Sequence, residues 1–188
     1  MKKDLKPTTC LCPVPAVMVG CGGTEEDYNI ITIAWIGTVA SNPPQVSISV
    51  RPERHSYQLI KKYKGYTVNL PTENMLAELD YCGLVSGAEV NKFEATGLNH
   101  KPAKEVEAPI IEESPLNLEC RLTHTLELGS HELFVAEVVH LQASDELLDK
   151  NNRLDLSSLK SVAYQGREYW GLKDAIKKHG FSKGEGLF

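Results

Sequence analysis

The sequence predicts a mainly β fold, a Greek-key-like antiparallel barrel with a few short helices. Two features of the sequence lead to this prediction. The chain begins with a strand, a turn and a second strand without a crossover helix, an order that favours antiparallel pairing. Residues 116–143 alternate between apolar and polar side chains on both sides of a central turn, which indicates a long β-hairpin.

Length and composition fit one globular domain, since the 188 residues are 41% hydrophobic and 24% charged. No run reaches the roughly 18 apolar residues that a membrane-spanning helix needs, and the N-terminus lacks a signal-peptide core. The net charge of −5 and the absence of a basic, aromatic stripe argue against nucleic-acid binding. We therefore expect a cytoplasmic protein with neither a membrane nor a nucleic-acid partner.

The cysteine count is odd, which favours reduced thiols in a reducing compartment. The five residues are Cys10, Cys12, Cys21, Cys82 and Cys120. The first three are close enough in sequence to contribute to a metal or redox site. Structural zinc normally needs four ligands, however, and no second cysteine pair is present, so free thiols are the preferred interpretation.

The predicted strands of the N-terminal third lie in two blocks. An apolar run between prolines and glycines over 12–23 predicts a buried strand closed by a turn. The β-branched residues of 29–36 predict the next strand, with Thr32 and Ala34 on its less bulky face. A turn is expected at 42–44, because proline disfavours helix in the residue before it.

The following strand has a polar face. Its apolar residues Val46, Ile48 and Val50 alternate with Ser47, Ser49 and Arg51, so one side offers hydrogen bonds.

A helix is predicted from Ser56, with Ser56 as its N-cap. Arg51, Arg54 and His55 converge with the Ser56 hydroxyl on the start of this helix, where free N–H groups and the helix dipole favour an anion such as a phosphate monoester. The alternative is that the arginines are solvated or paired with acids and that Ser56 only caps its helix.

The central part of the chain predicts short elements. A strand over 66–71 precedes a helix that Thr72 caps and Gly83 ends. Residues 84–97 are expected to form a loop or short helix in which Ser86, Gly87 and Lys92 either close a site or form an ordinary turn with a solvated lysine. Residues 100–115 are expected to be an extended surface connection.

The long hairpin has Leu116, Leu118, Cys120 and Leu122 on its apolar face and polar residues between them. Cys120 is therefore expected to be an inert core thiol. Residues 145–188 are expected to pack over the barrel or across a partner chain. Within them Tyr164, Tyr169 and Trp170 either anchor packing or stack on a planar ligand.

Among the six histidines only His55 belongs to a cluster of possible ligands, and no catalytic carboxylate pair is evident. No Walker loop, dinucleotide fingerprint, nucleophile elbow or catalytic triad is present. The residues by themselves therefore predict a site for a planar, phosphorylated ligand. Its phosphate would lie at Arg54, His55 and Ser56, and its ring against the backbone of Thr32 and Ala34.

A set of motifs resembles the flavoredoxin branch of the flavin reductase family. These motifs, in order, are NIITIAW, PPQVSISVRPERHSYQLI, YTVNLP, DYCGLVSGAEVNKF and PLNLEC. The resemblance implies an FMN-binding split β-barrel and a homodimer with FMN near the subunit interface. It implies a lead-in over 1–12, the FMN-binding domain over 13–170 and a tail over 171–188.

The resemblance also implies a set of FMN contacts. Thr32, Ile33, Ala34 and Trp35 would border the isoalloxazine, Ser49, Val50 and Arg51 would continue the cradle, Arg54, His55 and Ser56 would hold the phosphate, Asn69 would lie near the ring or ribityl chain, and Ser86, Gly87 and Lys92 would close the site. Asn91 stands where the family often has an aspartate, so any ion pair of that aspartate is in doubt.

In such a protein the flavin carries the redox chemistry and no side chain need be catalytic. The expected activity is an FMN-dependent oxidoreductase that takes electrons from NADH, NADPH or a protein donor and passes them to a small-molecule or protein acceptor. The first alternative is a non-catalytic FMN-bearing electron carrier or flavin-binding module. A more distant one is a thiol-based metal or redox sensor that uses Cys10, Cys12 and Cys21.

Overall fold

The computed structural model describes residues 1–183 of the chain, and the predicted end of the tail, 184–188, lies outside the described residues. The strands are β1 (Val14–Pro15), β2 (Val17–Cys21), β3 (Asn29–Ile33), β4 (Ile36–Ser41), β5 (Pro44–Val50), β6 (Gly65–Leu70), β7 (His100–Pro102), β8 (Pro109–Ile111), β9 (Leu116–Glu127), β10 (Glu132–Ala143), β11 (Val162–Gln165) and β12 (Glu168–Gly171). The α-helices are α1 (His55–Tyr63), α2 (Leu76–Leu84) and α3 (Lys92–Thr96), and short 3₁₀ turns cover Glu73–Met75, Asp145–Leu147, Leu156–Ser158 and Phe181–Lys183.

Seven strands form one antiparallel sheet in the order β3-β2-β6-β9-β10-β5-β4. Its two edge strands, β3 and β4, follow each other in the chain and are joined by the two-residue bend Ala34–Trp35. The sheet therefore curves until its edges meet, although no hydrogen-bonded ladder joins β3 to β4 in residues 1–183. The fold is a split barrel, and the predicted mainly β class is confirmed.

The barrel core and a second apolar cluster lie on opposite sides of β2 and β3. Ile31 and Ile33 of β3 face the barrel core, which also holds Leu59 and Ile60 of α1. Ile30 faces the second cluster, which α2 and α3 cover. Because β3 contributes to both clusters, its position is determined from two sides.

The predicted strand over 29–36 is broken in the structure. β3 ends at Ile33, the chain bends at Ala34–Trp35, and residues 36–41 form β4, which the sequence did not reveal. β4 pairs with β5 but is mostly exposed, so it lacks the apolar alternation that indicates a half-buried strand.

Two predicted helix boundaries are wrong. Arg54, not Ser56, is the N-cap of α1, and Ser56 lies in the first turn with its side chain buried. Gly83 lies inside α2 and does not end it. There, a Cβ atom at residue 83 would come within 3.2 Å of the Thr32 Cβ, so glycine permits close packing of α2 on β3. α1 ends at Tyr63, where Lys64 follows in a left-handed conformation with φ of 53°.

Alternation predicted that the polar face of the long hairpin would be exposed, but part of this face is buried. Glu119 is completely buried, and its carboxylate accepts hydrogen bonds from the Glu105 backbone N–H and from Gln142. Glu105 belongs to the segment 100–115 and Gln142 to β10. The segment 100–115 is therefore not only a surface connection: it contains the β7–β8 hairpin, and β8 is buried. Tertiary hydrogen bonds thus compensate the burial of a carboxylate.

Candidate functional site

Two adjoining clefts follow β3. The first, of about 180 Å³, is formed by β3, the Ala34–Trp35 bend and the end of β5. The second, of about 120 Å³, lies between the start of α1, the loop from α2 to α3, and the first residue of α3. Ile31, Arg54 and Gly83 line both clefts, so the two form one continuous groove.

The structure brings together all but one of the residues predicted for the site. The first cleft is lined by Thr32, Ile33, Ala34, Trp35, Ser49, Val50, Arg51 and Arg54. The second is lined by Arg54, His55, Ser56, Ser86, Gly87 and Lys92.

Asn69 is the exception. It is completely buried on β6, where its amide donates to the Met18 carbonyl at 3.1 Å and to Thr67 Oγ1 at 3.0 Å. Its Oδ1 accepts from the Ile111 N–H at 3.1 Å and from Asn117 Nδ2 at 2.7 Å. These bonds join β2, β6, β8 and β9, and Asn69 lines neither cleft, so its predicted contact with the ring or ribityl chain gains no support from the groove.

The second cleft has the character of an anion site. Arg54 caps α1 without a side-chain bond to the first turn, and no acidic residue occupies that turn. The backbone N–H groups at the start of a helix lack intrahelical partners and favour an anion. Arg51, Arg54 and Lys92 have no carboxylate within 4.0 Å among residues 1–183, which removes the interpretation that the arginines are paired with acids.

Lys92 is the least ordinary cation of the cleft, because its side chain is only 3% exposed. Its Nζ donates to the carbonyls of Ile30 and Cys82, both at 2.7 Å. Burial lowers the pKa of Lys92, and the nearby positive charge of Arg54 lowers it further, while Cys82 and Cys21 act in the opposite direction. A buried ammonium without a carboxylate partner is costly, and a bound anion would compensate that cost.

The walls of the second cleft are connected by Asn29. The Asn29 amide donates to Ser56 Oγ at 2.8 Å and so joins β3 to α1. Gly87 packs so closely on Asn29 that a Cβ atom at residue 87 would lie 2.6 Å from its Cγ. Ser56 and Gly87 therefore help to shape the cleft, whatever further contacts they make.

Three residues that line the first cleft were not predicted for the site: Ile31, Gly83 and His131. The pairing of β10 with β5 places Glu132 opposite Val50, which brings His131 beside the end of β5. The His131 ring lies 4.4 Å from that of Trp35, and its Nδ1 is 2.9 Å from Ser130 Oγ. Burial and the charge of Arg51 lower the pKa of His131, and Glu53 partly offsets them. Only the register of β10 on β5 could have indicated that His131 lines the first cleft.

The cysteines are divided between surface and interior. Cys10 and Cys12 are exposed, whereas the others are buried. Burial raises the pKa of Cys21 and of Cys82 to about 11, and that of Cys120 to about 12. Cys120 is thus the inert core thiol that the sequence predicted. In the described part of the chain, no three His, Cys, Asp or Glu residues are grouped so that they could hold a metal ion.

The family comparison agrees with the split barrel and its anion-favouring cleft. Residues 10–172 match the model of the flavin reductase like domain, and the chain belongs to this family. No helix in residues 1–183 is long and apolar enough to cross a membrane.

Solved structures of two flavoredoxins are similar over nearly the whole chain. The flavoredoxin of Desulfovibrio vulgaris (Miyazaki F) is 28% identical, with a TM-score of 0.89 over 97% of this chain and 100% of the other. The flavoredoxin from Methanosarcina acetivorans is 26% identical, with a TM-score of 0.89 over 100% of both chains.

One similar protein is named as the reductase component of a monooxygenase. The reductase component of 4-nitrophenol 4-monooxygenase/4-nitrocatechol 2-monooxygenase from Rhodococcus opacus is 30% identical over 112 residues, which is 60% of this chain and 57% of that protein. Together with the family, these similarities support a flavin cofactor and a flavin-related redox function.

Proposed function

We propose that this protein is an FMN-dependent oxidoreductase that passes electrons from NADH, NADPH or a protein donor through FMN to an acceptor. One observation carries the choice of FMN: among residues 1–183, the cations Arg54 and Lys92 have no carboxylate partner, and they line a cleft at the start of α1 that continues into the cleft along β3. A ligand with a flat ring and a terminal phosphate would use both ends of this groove.

The residues of the groove would have different tasks. Arg54, Lys92 and the first turn of α1 would bind the phosphate, and His55, Ser56, Ser86 and Gly87 would enclose it. The backbone of residues 32–35 would lie along the ring, and Arg51 would stabilise negative charge on it. Bound flavin would supply the electron-accepting and electron-donating chemistry.

The visible spectrum of the purified protein tests this proposal. We expect flavin absorbance in the protein as isolated or after addition of FMN, and bleaching when NADH, NADPH or a reduced protein donor is added without oxygen. A colourless protein that fails to take up added FMN would contradict the proposal.

Steady-state assays separate an enzyme from a carrier. With excess free FMN, an NAD(P)H-dependent reductase consumes NADH or NADPH continuously, whereas an electron carrier consumes neither and only exchanges electrons with a partner protein. The similarity to flavoredoxins keeps this second function as the alternative.

We further infer a homodimer, supported by the outer face of the sheet. The register places Leu126 opposite Leu133 and Leu133 opposite Ser49, and the Ser49 N–H donates to the Trp35 carbonyl at 2.9 Å. Trp35 and Leu126 are 46% and 56% exposed. Apolar side chains in one row across a sheet are typical of an interface, and Trp35 and Ser49 also line the first cleft, so a second subunit here would lie beside the flavin.

The proposed location is the cytoplasm. The cysteines are free, which fits a reducing compartment. Fractionation of cells with an antibody against the protein tests this location.

A further inference from the structure

A third cavity, of about 560 Å³, adjoins the first cleft. It is formed by β3, α2 and the hairpin of β11 and β12, and it shares Thr32, Ala34 and Gly83 with the first cleft. Its volume is in the range of small-molecule sites, which measure about 300–1,000 Å³. None of the proposed phosphate contacts lines it.

The hairpin side of this cavity is aromatic. The rings of Tyr164 and Tyr169 lie 5.4 Å apart at an angle of 59°. The Tyr169 hydroxyl donates to Asp80 Oδ1 at 3.0 Å, which fastens the hairpin to α2. At the base of the hairpin, Val162 and Ala163 are buried. The aromatic wall is therefore held in place, and such a wall suits a planar ring.

Among residues 1–183, Arg167 is the one cation that lines the cavity, and it lies in the turn of the hairpin. Gly166 and Arg167 form the turn of the hairpin with φ of 62° and 69°. A two-residue hairpin turn with positive φ at both positions matches the twist of its strands, and here it places Arg167 at the exposed tip of the hairpin. Arg167 has no carboxylate within 4.0 Å in the described part of the chain. The other charged residue of the cavity, Asp80, accepts the bond from Tyr169.

We propose that this cavity binds a planar aromatic carboxylate, with the ring against Tyr164 and Tyr169 and the carboxylate at Arg167. A single cation beside apolar and aromatic walls suits one negative charge on a ring, whereas a phosphate requires the several donors of the second cleft. The inference deepens the proposed function, on which it rests for the presence of flavin in the adjoining first cleft, by naming the chemical class of a ligand that would lie next to the flavin.

Titration with 4-hydroxybenzoate and its neutral counterpart 4-hydroxybenzamide tests the proposal. Binding is measured by calorimetry on the protein with and without FMN, and by the change in flavin absorbance when FMN is bound. We expect the carboxylate to bind more tightly than the amide. Arg167→Asn, which suits the left-handed turn and removes the charge, should weaken carboxylate binding about tenfold and leave amide binding within about twofold.

Controls make the result specific to this site. Arg167→Lys retains the charge and should retain most of the affinity for the carboxylate. Arg153→Asn, at an exposed position outside the cavity, should leave the affinities for both ligands unchanged. Equal affinity of the two ligands, or unchanged carboxylate binding in Arg167→Asn, would overturn the proposal. The FMN dissociation constant is measured separately for the wild type and for each variant. Failure of the wild type to bind FMN would refute the proposed function. Calorimetry on the FMN-free protein would still test the carboxylate site.

Discussion

At the scale of single residues, Lys92 shows how burial gives an ordinary surface residue a specific role. The sequence allowed a solvated lysine in a turn, yet its ammonium lies inside the protein on two backbone carbonyls. Those carbonyls provide hydrogen bonds but no negative charge. The positive charge of Lys92 therefore remains uncompensated, and the neighbouring positive charge of Arg54 makes a bound anion still more favourable.

Replacement of Lys92 by methionine should weaken FMN binding and spare riboflavin, which lacks the phosphate. Loss of a hydrogen bond to a charged group costs about 1.5–3 kcal/mol, or about 10- to 150-fold in affinity. Fluorescence titration of both flavins measures the effect. Lys104→Met, at an exposed position, is the matched control. Equal weakening of FMN and riboflavin would mean that Lys92 does not contact the phosphate.

The lowered pKa of Lys92 also predicts a pH dependence. Above this pKa the side chain is neutral, so FMN affinity should fall with rising pH at values below the ordinary lysine pKa of 10.5. In the flavin-free protein the sign is reversed, because a depressed lysine pKa means that folding becomes more favourable as the pH rises through it. FMN titrations from pH 7 to 10 should show the decline in the wild type. Persistence of the same decline in Lys92→Met, or with riboflavin, would contradict the assignment.

At the scale of elements, polar bonds between distant segments hold the groove open in one shape. The start of β10 is tied to α1, since the Tyr57 hydroxyl donates to the Glu132 carboxylate and Lys61 Nζ lies 3.2 Å from it. Next to Glu132 is His131 of the first cleft. The helix that begins at the second cleft and the strand that begins beside the first cleft are thus held together.

Tyr57→Phe should destabilise this unit by about 1.5–3 kcal/mol, because it removes a hydrogen bond to a charged group and leaves the packing on Phe134. At about 2–4 °C per kcal/mol for a domain of this size, the melting temperature should fall by roughly 3–12 °C. Tyr28→Phe is the control, since the Tyr28 hydroxyl has no hydrogen-bond partner among residues 1–183.

The hydrogen bonds from Tyr57 and Lys61 lower the pKa of Glu132. The stability that they provide is present above the ordinary glutamate pKa of 4.5 and is lost as the pH falls through the lowered value. The melting temperatures of the wild type and of Tyr57→Phe should therefore converge as the pH falls below 4.5. A constant difference across this range would show that the carboxylate charge is not involved.

Gly87→Ala should disturb the second cleft through its walls. The added methyl group would overlap the Asn29 amide, displace its bond to Ser56 and move the loop from α2 to α3. We expect a loss of stability of about 1–3 kcal/mol, typical of overpacking, together with weaker FMN binding. Gly37→Ala is the matched control, because nothing lies within 4 Å of the added methyl group. Thermal unfolding and FMN titration of both variants measure the difference, and equal behaviour would refute it.

At the scale of the whole molecule, the outer face of β9, β10, β5 and the bend presents the exposed apolar row that we infer to be the dimer interface. Leu126→Lys should convert a particle of twice 20.8 kDa into one of 20.8 kDa in sedimentation velocity, because a lysine there would be desolvated on association. Leu126 is already exposed, so the fold itself should tolerate the change. Leu172→Lys, at another exposed leucine, should leave the mass unchanged. A wild-type protein that sediments as a monomer would contradict the inference.

Local chemistry was sufficient to predict much of this molecule. Alternation of side chains indicated β5 and the hairpin of β9 and β10, and the basic turn before α1 indicated an anion site. The motifs implied the family to which the chain belongs. These features depend on residues close together in the sequence, so the sequence alone is enough to predict them. The predicted boundaries of the FMN-binding domain, the individual flavin contacts and the dimer remain predictions.

Tertiary structure decided what the polar residues do. Asn69 and Glu119 are buried because segments far along the chain supply their hydrogen bonds, and His131 reaches the groove through the register of β10 on β5. The sequence by itself determined a mainly β fold and the place of the groove's basic end, since periodicity and helix starts are local. Contacts between distant residues decided which side chains line that groove and left Lys92 buried in it with no carboxylate partner in the described part of the chain. Only folding brings such residues together.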